Sequence, residues 1–187
     1  MGKTSKFFAL ALSAVLAFAL VACGNAAPAD SGASEGEGGE STSVGMANPW
    51  SDVASAEEAA DTAGVGYFTV PEGTEIALGP IKVEAWRAME GLAEARVSFP
   101  AVDMTIRKGL KQDGEDVSGD YGTYAHEWTV DVDGFEVTCF GNRKGEATKT
   151  IWTSDNFAYS IVVLGLGGDT DFGLSADDVV TMVQGVQ

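Results

Sequence analysis

The sequence predicts an α+β fold: an antiparallel β-meander with a short N-terminal helix and a C-terminal helix packed on it. Two observations support this prediction. Between residues 81 and 164, apolar and polar residues alternate with a period of two, and short turns rather than helices separate the alternating runs. Strands connected in this way pair antiparallel. On either side of this region the sequence carries the capping signature of a helix.

The first helix is predicted to begin after Ser55. Glu58 stands three residues later, as in a capping box, and Gly64 provides a stop signal. Within this helix, the alanines at positions 56, 59, 60 and 63 share one face. Such a thin face is suited to close packing on a sheet. Trp50, just ahead of this helix, is predicted to be a packing anchor.

The strands are predicted from the alternating runs, which cover residues 81–86, 93–99, 102–107, 127–132, 135–139, 147–153 and 157–164. Asp133-Gly134 marks a tight hairpin turn, and Asp155-Asn156 joins the last pair of strands. The last strand is apolar on both faces from Ile161 to Leu164, so it should be central or covered. A further short strand is predicted over residues 67–70.

The remaining segments are a loop and the second helix. Residues 111–122 are rich in glycine and acids and are predicted to form an exposed loop. Ser175 and Asp178 indicate the cap of the C-terminal helix, with Leu174 as its flanking apolar contact. Valines at positions 179, 183 and 186 then form an apolar stripe that can pack on the sheet.

The first 22 residues have the three parts of a secretory signal. Lys3 and Lys6 precede an apolar run from Phe7 to Val21, which is shorter than the roughly 20 residues that a membrane-spanning helix needs. Cys23 directly follows Leu-Val-Ala, and this arrangement resembles the lipobox of bacterial lipoproteins. The resemblance implies that residues 1–22 are removed, that Cys23 carries the lipid, and that the protein is anchored on the extracytoplasmic face of the cell membrane.

Residues 23–47 are predicted to be the lipidated cysteine followed by a disordered tether, because they are rich in Gly, Ser and Ala and contain acids but no Lys or Arg. Residues 48–187 are then predicted to form a single extracytoplasmic domain, since about 140 residues is a normal domain size.

Charge excludes one class of partner. The chain has 28 acids and 11 Lys or Arg residues, and its net charge is −17. An acidic surface repels phosphate backbones, so nucleic acid is not expected to bind. It also repels anionic lipid head groups, so the lipid on Cys23 must provide the attachment to the membrane.

Cys139 is left without a partner if Cys23 carries lipid. It belongs to an alternating strand with Phe135 and Val137, so the sequence favours a small buried side chain. A reactive thiol is the alternative, although no flanking basic residue would lower its pKa.

No catalytic, metal or cofactor constellation is predicted. His126 is the single histidine and lies in a strand pattern, and no Gly-x-Ser-x-Gly nucleophile motif is present. Asp131-Val132-Asp133-Gly134 and Asp169-Thr170-Asp171 resemble fragments of calcium loops, but the twelve-residue pattern fails in both. The basic groups Arg107-Lys108 with Lys111, and Arg143-Lys144, are predicted to be solvated strand ends and turns.

Three aromatic residues follow polar positions of their strands: Trp86, Phe140 and Trp152. If the helices cover one face of the sheet, these side chains should lie on the other. They would form a patch for an apolar ligand, a glycan or a partner protein. The alternative is that the sheet curls and the aromatics form a second small core.

The domain resembles the domain-of-unknown-function 4367 family of extracytoplasmic lipoproteins. The matching stretches are Asn48-Pro49-Trp50, Ala56-Glu57-Glu58-Ala59-Ala60, Ile106-Arg107-Lys108-Gly109, Asp116-Val117-Ser118-Gly119-Asp120-Tyr121 and Trp152. This resemblance implies no assigned reaction and no catalytic residues. The leading hypothesis is a non-enzymatic binding or sensing lipoprotein. The alternatives are a protein-interaction module of the cell envelope and an envelope hydrolase that uses paired carboxylates.

Overall fold

The computed structural model describes residues 48–111, 115–169 and 171–187. The predicted signal peptide, the lipid-bearing Cys23 and the tether fall within residues 1–47 and so lie outside the described residues.

Within the described residues the chain forms two helices and ten strands. The helices are α1 (Ala56–Ala63) and α2 (Ala176–Gly185). The strands are β1 (Ser51–Val53), β2 (Glu75–Ile76), β3 (Gly79–Pro80), β4 (Val83–Met89), β5 (Leu92–Ser98), β6 (Val102–Leu110), β7 (His126–Val132), β8 (Phe135–Gly141), β9 (Lys149–Ser154) and β10 (Phe157–Gly165).

Eight strands form one antiparallel sheet in the order β1-β4-β5-β6-β10-β9-β8-β7, and β2 pairs only with β3. The predicted antiparallel sheet with a C-terminal helix is therefore confirmed. The prediction of one continuous meander is wrong, because β6 pairs with β10 and not with β7. Strand β10 is buried along nearly its whole length, so it takes a central position between β6 and β9.

The predicted turns are confirmed. Asp133 (φ 53°) and Gly134 (φ 89°) both have positive φ angles, as a type I′ hairpin turn requires. Asp155 also has a positive φ angle of 51°, between β9 and β10. Aspartate tolerates this conformation better than most residues, because its short polar side chain can bond locally to the backbone.

Both helices begin with the serine caps that the sequence indicates. Ser55 Oγ accepts a hydrogen bond from the Glu58 amide (3.2 Å), and α1 ends at Gly64 with φ 69°. Ser175 Oγ accepts from the Asp178 amide (3.2 Å) and donates to Asp178 Oδ2 (2.8 Å). Asp178 Oδ1 also accepts from the Ala77 amide (3.1 Å), which ties the start of α2 to the small β2–β3 hairpin.

The sheet has two different faces. On the core face, Ala95, Ile106 and Ile161 lie in register across β5, β6 and β10 and are almost completely buried. The buried alanines of α1 and the buried residues of α2 belong to the same hydrophobic cluster. The opposite side, which we call the second face, carries polar and charged side chains of the same strands.

An ion-pair network occupies the second face. Glu94 is fully buried, with a relative exposure of 0%, and its two carboxylate oxygens accept hydrogen bonds from Arg87 and Arg107. The Trp50 ring stacks on both guanidinium groups, with its centroid 4.9 Å from Arg87 Cζ and 5.2 Å from Arg107 Cζ. Trp50 is thus a packing anchor, and it shields this network from water.

The segment predicted to be an exposed loop instead packs partly on the second face. Ser118 is buried, and its carbonyl accepts a hydrogen bond from Arg107. Lys149 Nζ donates to Asp116 Oδ2 and to the Asp120 carbonyl, both at 3.2 Å. Cationic side chains that project from the sheet therefore hold the acids and carbonyls of this loop, an interaction that local composition does not reveal.

The predicted strand over residues 67–70 is also wrong, because this segment forms no strand. It is fixed by isolated contacts: the Thr69 amide donates to the Gln187 carbonyl (2.9 Å), and Lys108 Nζ donates to the Tyr67 carbonyl. Phe68 fills the core with a relative exposure of 1%.

Glu94→Ala should destabilise the domain strongly. The substitution leaves two largely buried guanidinium groups without their carboxylate, and breaking such a pair costs about 3–5 kcal/mol. Urea unfolding followed by tryptophan fluorescence measures the loss. Glu90→Ala, which removes an exposed glutamate from the turn between β4 and β5, is the control and should change the stability by less than about 0.5 kcal/mol. Equal effects of the two substitutions would contradict the role assigned to the network.

Candidate functional site

Trp86 does not lie on the face that the sequence indicates. A register shift between Val83 and Ala85 interrupts the pairing of β4 with β5, so the alternation of side chains reverses there. Trp86 consequently pairs with Ala95 on the core face and packs edge-on against Phe68, with ring centroids 5.6 Å apart. A bulge cannot be read from alternation alone, which explains the wrong assignment.

Trp152 also lies on the core face. Its relative exposure is 4%, and its ring stacks on Tyr159 with a centroid distance of 5.0 Å and an interplanar angle of 6°. The preceding positions on this face, Thr148 and Thr150, are buried threonines. Because threonine is polar, the alternation in the sequence predicts that these positions, and Trp152 with them, face outward.

Phe140 is the one member of the predicted patch that lies on the second face. It contacts Tyr124, with ring centroids 6.2 Å apart, and its ring centroid is 4.8 Å from Lys149 Nζ. Tyr124 also donates a hydrogen bond to Asp120, and burial together with this acceptor raises the pKa of the tyrosine. The three aromatics therefore do not share a surface, and Phe140 is separated from the two tryptophans by the sheet.

The stacked pair Trp152–Tyr159 instead belongs to a cleft of about 340 Å³ beside the C-terminal end of α2. We call it the aromatic cleft. Phe135, at the start of β8, adds a third ring with a relative exposure of 40%. The other residues that line it are Val132, Asp133, Ser154, Val183, Gln184, Val186 and Gln187.

The rim of the aromatic cleft is polar and carries one acidic side chain, Asp133. Gln184 Nε2 donates to Asp133 Oδ2 at 3.0 Å, which joins α2 to the β7–β8 turn and engages the single acid of the lining. Ser154, the last residue of β9, supplies a hydroxyl group to the lining. The floor is apolar, and Phe135 is the aromatic side chain that is most exposed in the cleft. Such a site fits a small, largely apolar ligand that contacts the Phe135 ring while its polar substituents bond to the rim.

Sequence reasoning identified Trp152 but missed Phe135, Tyr159 and Gln184. The partner Tyr159 could have been found by counting outward from the Asp155-Asn156 turn, since Tyr159 and Trp152 occupy the same register position on β10 and β9. Gln184 carried no such signal, because its place depends on how α2 crosses the sheet.

The basic residues predicted to be solvated include one that is buried. Lys108 has a relative exposure of 4% and lies between the rings of Phe157 and Tyr159, at 4.2 and 5.4 Å from their centroids. Burial lowers the pKa of its ammonium group. The cation is stabilised by the Tyr67 carbonyl and by the two aromatic faces.

Acidic side chains do not converge on a metal site in the parts of the chain that the structure describes, where no three ligands of the His, Cys, Asp or Glu type come together. The buried acid Glu94 faces two arginines and not a second carboxylate. The exposed His126 begins strand β7. None of the described helices is both long and apolar enough to cross a membrane.

Comparison of the chain with known protein families, with curated proteins and with solved structures found no match. The resemblance to the lipoprotein domain family therefore stays a prediction.

Cys139 should be unreactive in the folded protein. It is completely buried in the core, and burial raises the pKa of its thiol to about 11. The thiolate that reacts with alkylating agents is therefore scarce at pH 8, and the reagent has no access to it. In a Cys23→Ala chain, we expect labelling by iodoacetamide only at denaturant concentrations that unfold the domain. Rapid labelling without denaturant would show that the thiol is accessible.

Proposed function

We propose that this chain is a membrane-anchored extracytoplasmic lipoprotein whose domain binds a small uncharged ligand and catalyses no reaction. The support for the anchor comes from the sequence: a positively charged start, a short apolar run and Leu-Val-Ala-Cys ending at Cys23. Acyl chains on Cys23 would each contribute about 0.8 kcal/mol per buried CH₂ group. That attachment does not depend on charge. An acidic domain needs such an anchor, because anionic head groups repel it.

The observation that carries the binding role is the aromatic cleft. Its stacked rings, Trp152 on β9 and Tyr159 on β10, are almost completely buried, while Phe135 is 40% exposed. A preformed site of this kind loses little conformational entropy when a ligand enters.

The chemistry of the cleft favours a neutral ligand, such as a sugar ring or a small apolar molecule. Anions would be repelled by the net charge of −17. Apart from Asp133, which accepts a hydrogen bond from Gln184, the lining side chains are uncharged, so most of the contacts suit a neutral ligand. Sugar rings present apolar C–H faces to aromatic side chains and hydroxyl groups to residues such as Ser154.

The anchor is tested by Cys23→Ala. Without the thiol that receives the lipid, the variant should leave the membrane fraction and appear in the soluble fraction of cells. Cys139→Ala is the matched control, because it removes the other thiol, which lies buried in the core. Membrane attachment that survives Cys23→Ala would refute the lipobox interpretation.

The aromatic cleft is tested by Phe135→Ala, which removes an exposed ring without opening the core. Native mass spectrometry of the chain, isolated gently from the producing cells, should show a reproducible extra mass for the wild type that is reduced or lost in the variant. Tyr121→Ala is the control, because Tyr121 is 95% exposed and does not line this cleft. A bare chain mass for the wild type, or an extra mass that Phe135→Ala retains, would count against the cleft.

A further inference from the structure

The two edges of the large sheet are protected to different degrees. Strand β1 forms one edge and has three residues, Ser51–Val53. Strand β7 forms the other edge and has seven, and it pairs with β8 without a register shift. Proteins usually protect an edge with short strands, bulges, proline or charged side chains, especially lysine. Strand β7 reads His-Glu-Trp-Thr-Val-Asp-Val, so it has only the acids Glu127 and Asp131 as protection, and these would attract a basic strand.

The turn at Asp133-Gly134 determines which backbone groups of β7 point outward. A two-residue turn of this type is closed by a hydrogen-bonded pair, here Val132 and Phe135. Hydrogen-bonded and non-hydrogen-bonded pairs then alternate along the ladder. The N–H and C=O groups of Glu127, Thr129 and Asp131 therefore point away from β8, and within the described residues none of these backbone groups has a hydrogen-bond partner.

The side chains of β7 indicate what could pair with this edge. Glu127, Thr129 and Asp131 are exposed on the second face, whereas Trp128 and Val130 are half buried on the core face beside α2. An added strand would continue both faces. Successive side chains of that strand would point to opposite faces. On the second face they would lie beside the acids of β7, and on the core face they would lie beside Trp128 and Val130.

A pair of like charges supports a cationic partner. Asp131 and Glu136 stand directly opposite each other in a non-hydrogen-bonded pair, where side chains approach most closely. Like charges at such positions destabilise a sheet. Among the described residues, neither acid nor Glu127 forms an ion pair. A lysine or arginine on an added strand would neutralise this cluster.

We propose that β7 is a docking edge for an extended peptide in which basic and apolar side chains alternate. The peptide adds an antiparallel or parallel ninth strand through the outward groups of Glu127, Thr129 and Asp131. Its basic side chains lie beside Glu127, Asp131 and Glu136, and its apolar side chains lie beside Trp128 and Val130. A second copy of this chain is disfavoured as the occupant, because it would place two acidic edges side by side. This proposal does not depend on the aromatic cleft.

Thr129→Pro is the decisive variant. The Thr129 N–H points away from β8, so proline there leaves the β7–β8 ladder intact but removes the central outward donor. The probe is a capped peptide of four Lys-Val pairs, and its affinity for the full chain is measured by fluorescence anisotropy. We expect Thr129→Pro to weaken binding at least about tenfold with an unchanged unfolding midpoint. If the unfolding midpoint falls, Thr129→Lys serves as the second variant. It retains the backbone N–H but places a positive charge beside the basic side chains of the peptide, so it should weaken binding.

Three controls separate strand addition from charge attraction. A block peptide of four lysines followed by four valines has the same net charge and should bind at least about tenfold more weakly. Two peptides methylated at alternate amide nitrogens, one at the lysines and one at the valines, should behave differently. Only alternate N–H groups face β7, so one peptide should lose binding and the other should retain it. Glu127→Gln with Asp131→Asn should weaken binding and reduce its dependence on salt concentration.

Two outcomes would overturn the proposal. Equal binding of the alternating and block peptides, undisturbed by Thr129→Pro, would show nonspecific attraction to an acidic surface. Dimerisation of the wild type in sedimentation experiments, lost in Thr129→Pro, would assign the edge to a second copy of the chain.

Discussion

The arrangement of the domain depends on one constraint, the burial of β10 on both of its faces. Six consecutive residues from Ala158 to Val163 are buried, so this strand needs a partner on each side and a layer on each face. It obtains them by pairing with β6 over nine residues and with β9 over six. Because β6 is then saturated, the strand that follows it in sequence cannot pair with it. The chain must instead cross to the far edge of the sheet, where β7 begins.

That crossing explains why the second face is only partly exposed. Residues 115–125 come from the crossing segment, and they carry acids and carbonyls to Arg107 and Lys149. Glu94 and Trp50 complete the arrangement from β5 and from the segment ahead of β1. Charged side chains can be buried here because each has a hydrogen-bonded or aromatic partner; without these partners burial would be prohibitively costly. Around Glu94, Arg107 and Lys149 the second face is therefore a packed polar layer, whereas its acids on β7 and β8 stay exposed.

The same crossing produces the two surfaces to which we assign recognition. Within the described residues it leaves β7 as a long edge paired only with β8, and it places the β7–β8 hairpin beside the end of α2, where Asp133 meets Gln184. Asp133 and Gln184 also line the aromatic cleft, and the edge strand β7 ends next to them. In our proposals the cleft would take a small neutral molecule through its side chains, whereas the edge would take an extended chain through its backbone groups. The two surfaces adjoin at Val132 but differ in chemistry.

The sequence by itself determined the local features of this protein. Serine caps, hairpin turns, the short helix with its alanine face, and the central position of β10 follow from the pattern of neighbouring residues, because capping, turn geometry and alternation act over a few positions. Only the tertiary structure decided which side of the sheet each aromatic faces, since the bulge after Val83 reverses the alternation and buried threonines imitate an exposed face. It also decided that β6 pairs with β10, that Lys108 is buried and that Trp152 and Tyr159 form a cleft with α2. These depend on contacts between residues far apart in the chain, for which local sequence carries no signal.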